Sequence, residues 1–221
     1  MAAKVLNNQF CLRLVPDIPL CFMNFLAHFV LSYPDQELMA GNYIADFLSK
    51  KEQNQLDAIL LPGLQMHRWI DHYTDSHARI SDLNSFFRPV IHHYAPVATD
   101  IVMDHLLYRR WNDYMSVPYE DFSEYAYSTL LRFEYLFPER PRSIAQKMIQ
   151  GRWLTQYQSI EGLTDVMIRM NQKATFDVDF TKTIPVLENN MYEISRLFAS
   201  FFTMARAASM EWISLRNEGK K

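Results

Sequence analysis

Cysteine, glycine and long apolar runs are all scarce in this chain, and each scarcity excludes something. Only two cysteines occur among 221 residues, Cys11 and Cys21. Both lie at the N-terminal end, so neither a disulfide framework nor a cysteine metal site organises the body, a pattern that suits a reducing cytoplasm. Five glycines in the whole chain argue against a turn-rich sheet protein. No apolar run reaches the roughly 18 residues a membrane span needs. An excess of positive charge is missing too: the net charge of −3 excludes a broadly basic nucleic-acid binder. GxSxG, HExxH, P-loop and GxGxxG motifs are all absent, as are a Glu-x-x-His pair and an adjacent His-Asp dipeptide.

What is present is hydrophobic, at 49% of residues, rich in aromatics at 14%, and patterned at helical spacing. The pattern predicts helices over 23–33, 35–50, 62–75, 78–93, 96–115, 119–136, 141–150, 160–172 and 186–216. Asp35 is placed to cap the second, Pro62 to open the third, and KKEQNQ reads as a loop. No repeat, low-complexity tract or linker interrupts the series. The expectation is an all-α, single-domain helical bundle over 23–217. It follows an extension, residues 1–22, that matches no secretory signal and is expected to be dispensable.

All seven histidines lie between positions 28 and 105. Within that stretch, four predicted helices each carry polar residues four apart: Asn24 and His28, Asn42 and Asp46, His67 with Asp71 and Asp75, and Asp100 with Asp104, followed by His105. Residues i and i+4 share a helix face. Each pair alone reads equally as a solvated stripe balanced by Arg68, Arg79, Arg109 or Arg110. Together, embedded among Leu, Ile, Val, Phe and Met, they need compensation, because a buried unpaired carboxylate costs several kcal/mol, on the order of known desolvation penalties. A divalent cation held by imidazole and carboxylate supplies it, and that donor mixture suits Mn²⁺, Fe²⁺, Zn²⁺ or Mg²⁺.

The segments MNFLAHFVLS, GNYIADF, GLQMHRWIDHYTDSH and TDIVMDHLLYRRW closely resemble, in order and spacing, the motif series of the acyl carrier protein phosphodiesterase family. The likeness spans Met23–Trp111 and continues more weakly through RWLTQY (152–157) and MIRMNQ (167–172). It implies an HD-like helical phosphohydrolase that is Mn²⁺-dependent, with Mg²⁺ or Fe²⁺ as alternatives. The reaction implied is removal of 4′-phosphopantetheine from holo-acyl carrier protein in the cytoplasm, with no membrane or nucleic-acid partner. Matched motif by motif, it implies metal ligands at His28, Asp46, His67, Asp71, Asp100 and Asp104, with Asp46 first among them. His67 or His105 is then expected to act as an acid, and Arg68 or Arg109 to hold phosphate charge. An acidic carrier also calls for a local basic surface, for which Lys50, Lys51, Arg109, Arg110 and Arg152 are candidates. A small-phosphoester hydrolase and a non-catalytic helical interaction protein are the alternatives.

Overall fold

Apolar side chains at three- and four-residue spacing give every helix a face to bury, and the computed structural model, which describes residues 25–218, assembles those faces around one hydrophobic cluster. The expected extension 1–22, and Asn24, lie outside the described residues. Twelve α-helices follow one another, linked by short 3₁₀ turns, and no strand occurs among the described residues. They are α1 (Phe25–Ser32), α2 (Gln36–Ile44), α3 (Lys50–Gln53), α4 (Leu61–Ser76), α5 (Ala78–Ile91) and α6 (Ala95–Arg109). The remainder are α7 (Trp111–Tyr114), α8 (Tyr119–Phe133), α9 (Glu139–Gln150), α10 (Ile160–Asn171), α11 (Thr183–Asn189) and α12 (Met191–Glu218).

α1 is buried on every side, which its sequence FLAHFVLS permits because only His28 and Ser32 carry polar side chains. The turn after it is closed by Asp35, whose Oδ1 accepts from the Leu38 N–H and caps α2. The expected single helix over 35–50 is in fact α2, a 3₁₀ turn at Ala45–Phe47, and an extended Leu48. KKEQ, expected to be loop, forms the short α3. Its signal is a capping box: Ser49 Oγ accepts from the Glu52 N–H, and the Glu52 carboxylate accepts from the Ser49 N–H. The long C-terminal helix breaks at Asn190, separating α11 from α12.

Two glycines set the geometry that matters most. α2 and α4 share the most extensive helix–helix contact. A Cβ on Gly41 would lie 2.2 Å from the Leu60 carbonyl oxygen, and one on Gly63 would lie 2.4 Å from that of Leu38. Only glycine lets these backbones approach so closely. The approach brings Asn42, one residue beyond Gly41, beside His67, four residues beyond Gly63. α12 then lies across the bundle, with Arg216 paired to Asp35 at 3.0 Å.

Candidate metal centre

The centre is assembled around one amide. Asn42 is 1% exposed, and its Nδ2 donates to the His28 carbonyl oxygen (3.2 Å) and to Ser32 Oγ (2.7 Å). A carbonyl can only accept, so the amide nitrogen is fixed on that side and Oδ1 faces the other way. There Oδ1 lies 2.7 Å from His28 Nδ1 and 2.8 Å from His67 Nδ1. Both rings must therefore donate from Nδ1 to the same oxygen. Their centroids are 4.5 Å apart, and in the neutral form each carries its lone pair on Nε2.

Both Nε2 atoms face carboxylates. His67 Nε2 lies 3.0 Å from Asp46 Oδ1 and 3.1 Å from Asp71 Oδ2, and His28 Nε2 lies 3.4 Å from Asp71 Oδ1. A lone pair at 3.0 Å from a carboxylate oxygen is repulsive unless something positive lies between them. A proton is one solution. Burial disfavours the charged His67, but Asp46 and Asp71 outweigh it and push its pKa up to about 10. A divalent cation is the other, and the donor set fits one. One ligand atom each from His28, His67 and Asp71 falls within 4.8 Å of the others, with Asp46 alongside. Imidazoles that bind through Nε2 and donate from Nδ1 to a fixed oxygen are the usual arrangement of histidine ligands.

The surrounding charge points the same way. Asp100 is raised well above the usual carboxylate range, first by burial and then by the charges of Asp71, Asp75, Asp104 and Asp46. Asp75 is raised by burial and by Asp71. Asp71 itself is held well below that range: burial opposes this, but hydrogen bonds and charge from His28 and His67 prevail. Crowded carboxylates beside two imidazoles form a pocket of negative potential that a cation relieves. The Asp71 side chain is 48% exposed and marks the open flank.

Four of the expected ligands, His28, Asp46, His67 and Asp71, thus meet, with Asp100 in the same field. Asp104 does not meet them as an open ligand. Its Oδ2 and Oδ1 accept from the backbone N–H groups of Leu26 (3.1 Å) and Ala27 (2.9 Å), in the first turn of α1. Burial raises its carboxyl, opposed by those two donors and by Tyr157. Asp104 is an anchor for the helix that carries His28. His105, expected as an acid, also stands apart: it is 2% exposed and its Nδ1 donates to the Tyr157 carbonyl oxygen at 2.7 Å. Burial lowers its pKa, which suits a neutral core residue.

Arg109 lies at the far end of α6, about 13.5 Å along the axis from Asp100, against Met191 Sδ at 3.6 Å. Arg68 is exposed and donates to Gln53 Oε1 on α3. Among the basic candidates, Arg110 is paired with Asp113 at 2.7 Å and Arg152 with Glu124. Sequence reasoning noticed Asn42 as a polar neighbour of Asp46 but missed its role. The signal was there, since an asparagine in the middle of GNYIADF has no helical reason to be buried.

Comparison with known proteins agrees with this arrangement. The family model for acyl carrier protein phosphodiesterase matches residues 23–205. A Klebsiella pneumoniae acyl carrier protein phosphodiesterase is 32% identical over 146 residues, covering 66% of this chain and 76% of the relative. A Yersinia enterocolitica protein of the same name is 28% identical over 183 residues, covering 81% and 94%. No solved structure matches the chain. Both the matched span and the relatives' coverage include every residue of the centre, and the chain belongs to the acyl carrier protein phosphodiesterase family.

Proposed function

We propose that this chain is a Mn²⁺-dependent phosphodiester hydrolase that releases 4′-phosphopantetheine from holo-acyl carrier protein, acting in the cytoplasm. One observation carries the reading: two imidazole Nε2 atoms, oriented by a single Asn42 oxygen, converge with the Asp46 and Asp71 carboxylates. His28, His67, Asp46 and Asp71 would hold the ion, with Asp100 as a further carboxylate. The mixed nitrogen and oxygen donors suit Mn²⁺, and Mg²⁺ or Fe²⁺ less closely match that mixture or its stability in air. When bound, such an ion supplies a Lewis acid that draws charge from phosphoryl oxygens and acidifies water.

The chain's own residues do the rest. Asn42 holds both rings in the ligating tautomer, and Asp104 holds α1, hence His28, in position. The walls from Phe25, Leu26 and Met66 keep the inner side dry, while the half-open Asp71 flank admits the phosphodiester and solvent. His105 and Arg109 are set apart from this flank, so neither is assigned a part in proton transfer or in holding phosphate. Proton delivery to the departing serine oxygen falls to the solvent-accessible side.

The test is direct. Purified protein with Mn²⁺ should convert holo-carrier to apo-carrier, read by mass spectrometry as loss of the prosthetic group. Asp46→Ala should keep its circular dichroism and lose more than about a hundredfold in rate. Full activity in that variant, or no conversion by the wild type with any divalent metal, would end the proposal.

A further inference from the structure

The bond cleaved in the proposed reaction joins phosphorus to a serine oxygen of the carrier, one side chain away from the carrier's backbone. That phosphorus cannot reach His28, His67, Asp46 and Asp71 unless the carrier's surface closes on the mouth of the centre. Side chains flanking the mouth must therefore touch the partner.

On one flank those side chains are basic. α3 begins four residues after Asp46, so the Cα of Lys50 lies within about 14 Å of that of Asp46 and the Cα of Lys51 within about 18 Å, even for a fully extended chain. Both lysines are exposed, and neither forms an ion pair among the described residues. Arg68 directly follows His67, is exposed, and reaches across to Gln53, which ties the α4 edge to α3. Glu52, the one acid on α3, is turned inward on its own cap, bonded to the Ser49 N–H and Oγ, and Arg140 adds positive charge beside it. Away from the mouth the pattern differs: Arg79, Arg110, Arg152 and Arg196 are each matched to a neighbouring carboxylate.

We propose that Lys50, Lys51 and Arg68 form the docking rim for an acidic carrier-protein surface. The rim is positive while the centre behind it is negative. The carrier is thus attracted at its perimeter, and the cation is attracted within. This rests on the hydrolase reading, and the docking step can be measured without catalysis.

The experiment compares wild type with Lys50→Glu/Lys51→Glu, using Mn²⁺-loaded protein. A control, Lys147→Glu/Lys182→Glu, carries the same charge change on neither α3 nor α4. With holo-carrier, the rim variant should show KM raised about tenfold, kcat within about twofold of wild type, and a flattened salt dependence. Hydrolysis of bis(p-nitrophenyl) phosphate should be unchanged, which shows the centre intact. In calorimetry with apo-carrier, which has no bond to cleave, wild type should bind and the rim variant should bind about tenfold more weakly. Equal carrier affinity in wild type and rim variant, an equal loss in the control, or no wild-type binding would overturn the rim. Binding without cleavage would instead remove the hydrolase reading and leave the rim standing.

Discussion

The two halves of the molecule treat polar groups in opposite ways. In α1, α2 and α4, polar side chains point inward and meet one another: Ser32, Asn42, His28 and His67 are all buried and linked in one hydrogen-bonded group. In α8 to α12 the interior is largely aromatic and aliphatic, as where Tyr114, Phe198 and Phe202 pack edge-on and stacked. Charges there sit outside in short-range pairs such as Arg196–Glu193 and Arg142–Glu139. Exposed pairs of that kind contribute about 0.2–0.5 kcal/mol each. Buried polar groups are costly to leave unpaired, so the first half stakes far more on each side chain. One half is built for chemistry and the other to support it.

That contrast can be broken most severely at the glycines. Gly63→Ala would drive a Cβ into the Leu38 carbonyl oxygen and force α2 from α4. It should lower unfolding stability by about 3 kcal/mol or more and lose metal affinity together with it, read by urea titration and calorimetry. Preserved stability would mean the two helices can slide apart without cost. Asn42→Ala is a finer cut. It leaves two Nδ1 donors without their acceptor, so Mn²⁺ affinity should fall about 10- to 100-fold while the helical content stays. The pH dependence sharpens this. His67 is raised to about 10, so below that pH its Nε2 holds a proton that the ion must displace. Wild-type Mn²⁺ uptake at pH 7 should therefore release a proton, and affinity should climb towards pH 10. Calorimetry in two buffers of different ionisation enthalpy measures that release. Smallest of all, Arg196→Ala on α12 should shift stability by less than about 0.5 kcal/mol and leave activity alone.

The helical class was legible because apolar spacing is a property of local sequence, and so were the Asp35 cap and the proline at the start of α4. The convergence of His28, Asp46, His67 and Asp71 was legible as four pairs that needed a common partner. Spacing alone does not say which way a face points. Asp100 and Asp104 share one stripe on α6, yet Asp100 feels the acidic centre while Asp104 is turned into the first turn of α1. His105 was misread as an available acid for the same reason: nothing in the sequence shows that the Tyr157 carbonyl, 52 residues away, claims its Nδ1. The α3 helix was missed although its Ser49–Glu52 box was readable, because a run of polar residues hides a helix too short to have an apolar face. The break at Leu48 and the one at Asn190 come from packing between distant segments, which no local window contains.

The anchoring of α1 by Asp104 has a thermodynamic consequence. An eight-residue helix is marginal by itself, so α1 keeps its shape only while α6 holds its first turn. Occupancy at His28 and integrity of the whole bundle are then one linked equilibrium. An ion that prefers the folded state should act as a thermal stabiliser, adding about 2.7 kcal/mol at a free concentration one hundred times its Kd.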